Sequence, residues 1–452
     1  MKDLTKGSVT RHLLEMAAPI AAGMIVQTLY FLVDLYFVAR LGDAAIAGVG
    51  AAGSVMFIVV ALTQMLGAGS VALIAQAAGR QDRQDANLVF NQSLVLAAAL
   101  TVVTLVAGYA CADAYVRRLG ADAATAAAGL AYLRWYMPGL ALQFALIAMG
   151  SALRGTGIVR PTMVVQMLSV VVNAILAPVL IAGWGTGRPL GVAGAGLASS
   201  IAVAAGVGWL CYYFVRLEKY VAFHRELLRP RLRVWWRLLD IGLPAGGEFM
   251  LMFLYMAIVY GIIRDFGAAA QAGFGMGSRI MQAISLPAMA IAFATAPVAG
   301  QNFGAGHGAR VRATFRSAIL LGAALMLVLT LLCQIAPAAL LRGFTRDADV
   351  IAVGAQFLQV VSWNFTASAI VFTSSGLFQA LGNTWPTLFS SATRLLAFAV
   401  PASWLAAQSG FRIAEVWYLS VGSVALQAVV SYTLARRTLR RFHEPGAHHL
   451  RQ

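Results

Sequence analysis

Long apolar runs recur along the whole chain, each ended by a short polar or glycine-rich segment. A helix that spans a bilayer needs about 20 predominantly apolar residues. Twelve segments meet that length: 13–40, 46–77, 89–111, 129–153, 160–183, 191–216, 238–265, 271–302, 314–340, 350–380, 386–408 and 414–436. The runs are too long for barrel strands and do not alternate, which excludes β spans. The pattern predicts an all-α integral membrane protein with 12 transmembrane helices.

The second half of the pattern repeats the first at a fixed offset. Pro19 answers to Pro244 (244 − 19 = 225), and the same offset relates Leu29/Leu254, Tyr30/Tyr255, Gly42/Gly267, Gly48/Gly273, Gly50/Gly275, Gln76/Gln301, Gly79/Gly304, Gly157/Gly382, Pro161/Pro386 and Thr162/Thr387. Six spans per half is an even number, so both halves enter the membrane in the same direction, as two parallel six-helix bundles. The expected organisation is an N-terminal lobe over 1–216, a cytoplasmic linker over 217–237 and a C-terminal lobe with a basic tail over 238–452. The linker is expected to be an interfacial helix. A duplicated membrane domain with a polar seam between its halves points to a transporter working by alternating access.

Composition sharpens this. The chain of 452 residues is 60% hydrophobic and 11% charged, against about 25% charged in soluble domains. The net charge of +16 does not indicate nucleic-acid binding, because the basic residues sit in short segments between apolar runs and no basic helix or aromatic-interleaved motif accompanies them. Counted by side, 22 Lys and Arg fall with the termini and 8 on the opposite side, so both termini are expected to be cytoplasmic. The N-terminal run is too long for a signal-peptide core and reads as a retained span. Cys111, Cys211 and Cys333 are far apart and read as small buried hydrophobes. All six histidines are expected outside the spans, and there is no Walker A, HExxH or GxSxG sequence, so ATP use and the common membrane-enzyme chemistries are not indicated.

The candidate chemistry lies in the ionisable residues inside spans, which cost roughly 2.5–3.5 kcal/mol each on insertion scales and need a reason to be there. Asp34 and Glu248 are the two acids well inside apolar segments. They occupy corresponding helices but not corresponding positions: Asp34 pairs with Val259, and Glu248 with Gly23. Gln27, Tyr30 and Asp34 share one helical face, and Glu248, Met252 and Tyr255 form a similar stripe. A carboxyl so placed suits cation or proton coupling; the plainer alternative is a structural acid hydrogen-bonded to neighbouring helices. Asn173 in the fifth span is similarly ambiguous. In the tenth, Asn364, Ser368, Ser375 and Gln379 follow near-helical spacing beside Trp363, which suits a polar-aromatic cavity or interhelical hydrogen bonding. Arg134, Arg279 and Arg394 lie in or near spans, where each can pair with a carboxylate or extend to an interface. Pro287 and Pro297 predict kinks in the eighth span.

Several stretches in order resemble the MATE (multidrug and toxic compound extrusion) transporters: AAPI (17–20), Gln27, Asp34, ARLGDAAIAGVG (39–50), AQAAGRQD (75–82), ALRGTGIVRPT (152–162), GLPAGGE (242–248), APVAGQNFGAG (296–306) and FQALGNTWPT (378–387). The resemblance covers essentially the whole chain and implies two six-helix lobes in a V that exchange organic cations for H+ or Na+. By resemblance Asp34 matches the helix 1 aspartate used for coupling, and Glu248 the helix 7 glutamate of one branch. With the placements above, ion coupling is expected at Asp34, Glu248, Asn173, Gln27 and Tyr30, and substrate contact at Glu248, Met252, Tyr255, Trp363, Asn364, Ser375 and Gln379. Two positions depart from some members: Ala177 stands where they carry an acid, and 350–380 lacks their tenth-helix acid. The expected protein is a monomeric antiporter of the bacterial inner membrane. It would carry amphipathic organic cations, with H+ or Na+ as coupling ion and no other cofactor. A flippase for lipid-linked precursors is the alternative, and would need all three intramembrane arginines in the central cleft. A non-transporting membrane protein would need a catalytic cluster or an appended soluble domain.

Overall fold

The computed structural model describes residues 1–119, 122–185, 187–408 and 410–441; the tail over 442–452 lies outside the described residues. Among the described residues fourteen α-helices follow one another: α1 Val9–Ala39, α2 Asp43–Gly79, α3 Arg83–Leu119, α4 Ala123–Gly155, α5 Arg160–Ile181, α6 Val192–Arg216, α7 Leu232–Ile263, α8 Ala268–Gly304, α9 Gly308–Ile335, α10 Pro337–Arg342, α11 Ala348–Val361, α12 Asn364–Ala380, α13 Trp385–Ala406 and α14 Ile413–Arg440. Eleven are long and apolar enough to span a membrane, and α11 with α12 makes a twelfth if that bent pair is one span. There is no strand among the described residues.

Repeat positions fix the helix ends. Gly42 (φ 105°) and Gly267 (φ 92°) precede α2 and α8 in backbone conformations that disfavour side chains. Pro161 and Pro386 sit at the starts of α5 and α13, where the missing amide is no loss. Asp122 caps α4 by accepting from the Thr125 amide at 2.7 Å, and that bond holds its carboxyl below the ordinary value.

The tenth span is not the single straight helix expected over 350–380. It bends by 56° between α11 and α12. The bend is stabilised from α9: Thr330 Oγ1 donates to the Ser362 carbonyl at 2.9 Å, and Gln334 Nε2 donates to the Gln359 carbonyl at 2.6 Å. A helix can break inside a membrane when neighbouring side chains satisfy the freed backbone. The eighth span is one continuous helix with Pro287 and Pro297 inside it. His12, expected outside the spans, lies in the first turns of α1 and bonds the Lys6 carbonyl at 2.6 Å. Cys333 is buried as expected, whereas Cys111 is exposed and Cys211 partly so; a thiol-sized side chain is tolerated on an apolar helix surface.

The chain forms two compact units. One holds Met1–Asp3 and Ala22–Gly246, the other Leu4–Ala21 and the residues from Gly247 onward. The divisions fall inside α1, after Ala21, and inside α7, after Gly246. These two points are themselves equivalent in the repeat (246 − 21 = 225). They do not fall in the 217–237 connection.

In the first unit the opening turns of α7 run antiparallel against α2. A Cβ on Gly69 would lie 2.3 Å from the Leu238 carbonyl oxygen, one on Gly242 2.2 Å from that of Met65, and one on Gly246 2.8 Å from that of Ala61. Glycine there allows backbone-to-backbone approach, the usual device for packing helices in lipid. Another close crossing is repeated in both units. Gly48 of α2 meets Gly129 of α4, and at the equivalent positions of the second unit Gly273 of α8 meets Gly354 of α11.

The connection over 217–231 is an extended peptide with a single 3-10 turn, Arg225–Leu227, rather than an interfacial helix. Side-chain amides of α3 hold its backbone. Asn87 and Asn91 each donate to and accept from it, through Tyr220, Ala222 and His224, at 2.8–3.0 Å. Gln92 donates to the carbonyls of Leu227 and Arg229 at 2.6 and 2.8 Å and accepts from the Arg231 amide at 2.8 Å. These bonds replace the backbone pairing a helix would have made internally. In the second unit the N-terminal peptide is held likewise: the Leu4 amide donates to Gln301 at 3.0 Å, and Arg310 donates to the Gly7 carbonyl at 3.0 Å.

Candidate functional sites

The first unit buries an acid among neutral groups. Asp34 on α1 is 8% exposed, and its Oδ1 has no hydrogen-bond partner among the described residues. One turn earlier, the Tyr30 hydroxyl lies in reach of Asn173 on α5 and Ser199 on α6. Asn173 Nδ2 donates to Ser199 Oγ at 3.3 Å, which leaves Asn173 Oδ1 as a second buried acceptor without a donor. Tyr132 and Tyr136 of α4, with ring centroids 5.2 Å apart, complete the surroundings and interact electrostatically with Asp34. The group contains two unmatched acceptor oxygens and, among the described residues, no cationic side chain acting on the acid. A buried carboxylate without a counter-charge is costly, so such a site favours either a neutral carboxyl or a bound cation. Gln27 is half-buried on α1 and stands outside this hydrogen-bonded group.

The second unit places its acid differently. Glu248 on α7 accepts from Ser375 Oγ of α12 at 3.1 Å and has Ser391 of α13 as a second hydrogen-bond partner. Gln427 Nε2 of α14 donates to Ser391 Oγ at 3.0 Å. Arg394 of α13 stacks over the Tyr255 ring, its guanidinium carbon 4.2 Å from the centroid, and acts on Glu248 electrostatically. The Tyr255 hydroxyl shares a hydrogen bond with Ser420 of α14 at 2.8 Å. Glu248, Met252, Tyr255, Ser391, Arg394 and Gln427 line a cavity of about 50 Å³. Apolar, aromatic and charged groups converge there on a small space.

Of the residues singled out from sequence, Tyr30, Asp34 and Asn173 come together in the first unit, and Glu248, Met252, Tyr255 and Ser375 in the second. Trp363 stands in the bend between α11 and α12, 58% exposed. Asn364 is buried at the start of α12, and Gln379 lies one turn beyond Ser375; neither lines the cavity. Arg394 belongs to the cavity, whereas Arg134 and Arg279 are exposed on their helices. Sequence reasoning missed Tyr132, Tyr136, Ser199, Ser391 and Gln427. The repeat held a signal for one of them. The connection after α13 is shorter than that after α5 by four (192 − 181 = 11 against 413 − 406 = 7), so the offset falls to 221 in the last helix, and Ser199 corresponds to Ser420. The Tyr255–Ser420 hydrogen bond therefore joins the repeat counterparts of Tyr30 and Ser199.

A duplicated multi-pass helical fold, with an acid set among polar groups inside the apolar spans of each unit, defines a membrane transporter. The MatE family model matches residues 19–179 and 244–405, starting at the two repeat prolines. The chain belongs to the MatE family. It is 27% identical over 386 residues to the probable multidrug resistance protein YpnP of Bacillus subtilis, covering 84% of each chain. It is 24% identical over 383 residues to the multidrug export protein MepA of Staphylococcus aureus, covering 83% of each. A solved structure of a multidrug resistance MATE family transporter in an outward-facing conformation matches with a TM-score of 0.92 over 98% of both chains at 23% identity, a likeness of fold.

Proposed function

We propose that this protein is a monomeric secondary antiporter of a bacterial inner membrane, with both termini cytoplasmic. It exports amphipathic organic cations in exchange for H+ or Na+. The observation that carries this reading is the Asp34 group: a buried carboxyl with an unmatched oxygen, a second unmatched oxygen on Asn173 and, among the described residues, no cationic side chain acting on it. Protonation or Na+ binding removes the uncompensated charge. Occupancy of that site therefore changes the energy of the first unit, which is the property a coupling ion must have. Glu248 supplies negative charge beside the rings and methionine of the second unit's cavity, a combination suited to an organic cation. Two relatives described as multidrug proteins support the substrate class.

The test is transport in proteoliposomes under separately imposed pH and Na+ gradients. Wild-type protein should accumulate a fluorescent organic cation under one of the two gradients. Asp34→Asn should abolish gradient-driven movement while leaving the protein folded. Full gradient-driven transport by Asp34→Asn would remove the coupling role.

A further inference from the structure

A second feature lies at the end of the second unit where α9 begins and α14 finishes. Arg312 and Arg316 stand one turn apart on α9, and Arg436 and Arg440 one turn apart on α14. They line a groove of about 450 Å³ together with Phe315 and Tyr432, whose rings stack at 6.3 Å. Ile319 and Leu320 continue its wall toward the middle of the spans. No carboxylate lines the groove among the described residues. Arg312 Nη1 is buried and has no hydrogen-bond partner there. Four arginines in one groove repel one another unless an anion intervenes, and an orphaned buried guanidinium nitrogen is costly.

The position decides which anion. With 28 residues, α14 is about 42 Å long at 1.5 Å per residue, longer than a bilayer core of about 30 Å. Its last two turns therefore reach the headgroup level. The groove is basic at that level and apolar below it, the same order of chemistry as an anionic phospholipid. We propose that this groove is a binding site for an anionic phospholipid. The headgroup phosphate is held by Arg312, Arg316, Arg436 and Arg440, and an acyl chain runs along Ile319, Leu320 and Tyr432. Guanidinium forks match phosphate oxygens bidentately, and basic pockets between membrane helices hold lipid headgroups for this reason.

The full chain is reconstituted in nanodiscs with a photo-crosslinkable phosphatidylglycerol or with the matching phosphatidylcholine. Phosphatidylglycerol should label peptides within 308–320 and 430–441; equal labelling by phosphatidylcholine, or labelling confined to other regions, overturns the site. Affinity is then compared for Arg312→Gln/Arg436→Gln and for Arg342→Gln/Arg346→Gln, which removes equal charge elsewhere. The first pair should weaken phosphatidylglycerol binding by about fivefold per arginine, from ~1 kcal/mol each, and the second should leave it unchanged. Equal weakening by both pairs overturns the proposal. Displacement of the lipid by millimolar inorganic phosphate would make this a free-anion site instead. A chain ending at Arg441 should label as the full chain does; labelling that appears only after this truncation would assign the groove to the tail.

Discussion

Two glycines of α7 provide a test with opposite signs on one helix. Gly242 faces α2, where an added Cβ would sit 2.2 Å from the Met65 carbonyl oxygen, while Gly261 has nothing within 4 Å. An ordinary Cβ contact begins at 3.4 Å, so Gly242→Ala forces α7 and α2 apart at this crossing. The obstacle is backbone on a packed helix, which has no rotamer with which to move aside. Overpacking of this kind costs about 1–3 kcal/mol, and an obstacle of backbone places this site in the upper part of that range. Replacing a mid-helix glycine by alanine returns up to about 1 kcal/mol of helix propensity. Gly242→Ala should therefore be less stable than wild type by ~1–2 kcal/mol, and Gly261→Ala more stable by up to ~1 kcal/mol. The assay is the heat-induced unfolding midpoint of detergent-purified protein, cross-checked by SDS titration. Midpoints that move in the same direction for both variants would refute the account of how α7 packs on α2.

Three further outcomes follow from the same contacts. Gln92→Leu removes three hydrogen bonds to the 217–231 peptide, roughly 2–4 kcal/mol of local stability; trypsin should cut faster after Arg225 and Arg231, and an unchanged rate would mean that the peptide is held by something else. Thr330→Val strips the donor from the Ser362 carbonyl at the α11–α12 bend and should cost about 1–3 kcal/mol in the same unfolding assays, with no loss expected from Thr433→Val, whose hydroxyl serves only its own helix. Glu248→Gln keeps an acceptor for Ser375 but removes the charge. Transport of a cationic dye should fall at least tenfold while that of a neutral analogue changes little; an equal fall in both would reduce Glu248 to a structural group.

What sequence could reveal was set by geometry along single helices. The spans, the internal repeat and the two intramembrane acids are properties of one helix at a time, and all stand in the structure. Other features lie between helices. Asn364, Ser368, Ser375 and Gln379 keep their spacing within α12, where Ser368 lines the cavity and Ser375 bonds Glu248, while Trp363 stands in the bend before that helix. The bend between α11 and α12 depends on Thr330, 32 residues upstream of Ser362, and no local signal marks it. Ser391, Gln427 and Ser199 reach their partners from other helices, so their roles depend on how helices rotate against each other.

The repeat also shows how the two units came to hold their acids at different levels. In the second unit Glu248 faces Ser391. At the equivalent position of the first, Gly23 faces Gln166, whose Oε1 lies 1.8 Å from where a Cβ on Gly23 would stand. The large and small members of the pair have changed places: glycine opposite glutamine in one unit, glutamate opposite serine in the other. An acid at position 23 forces the Gln166 amide to swing out of the space it now fills. Gly23→Glu alone should therefore destabilise the protein, and Gly23→Glu with Gln166→Ser should recover much of the loss. A double-mutant cycle with no coupling between the two positions would show that the exchange of sizes is incidental.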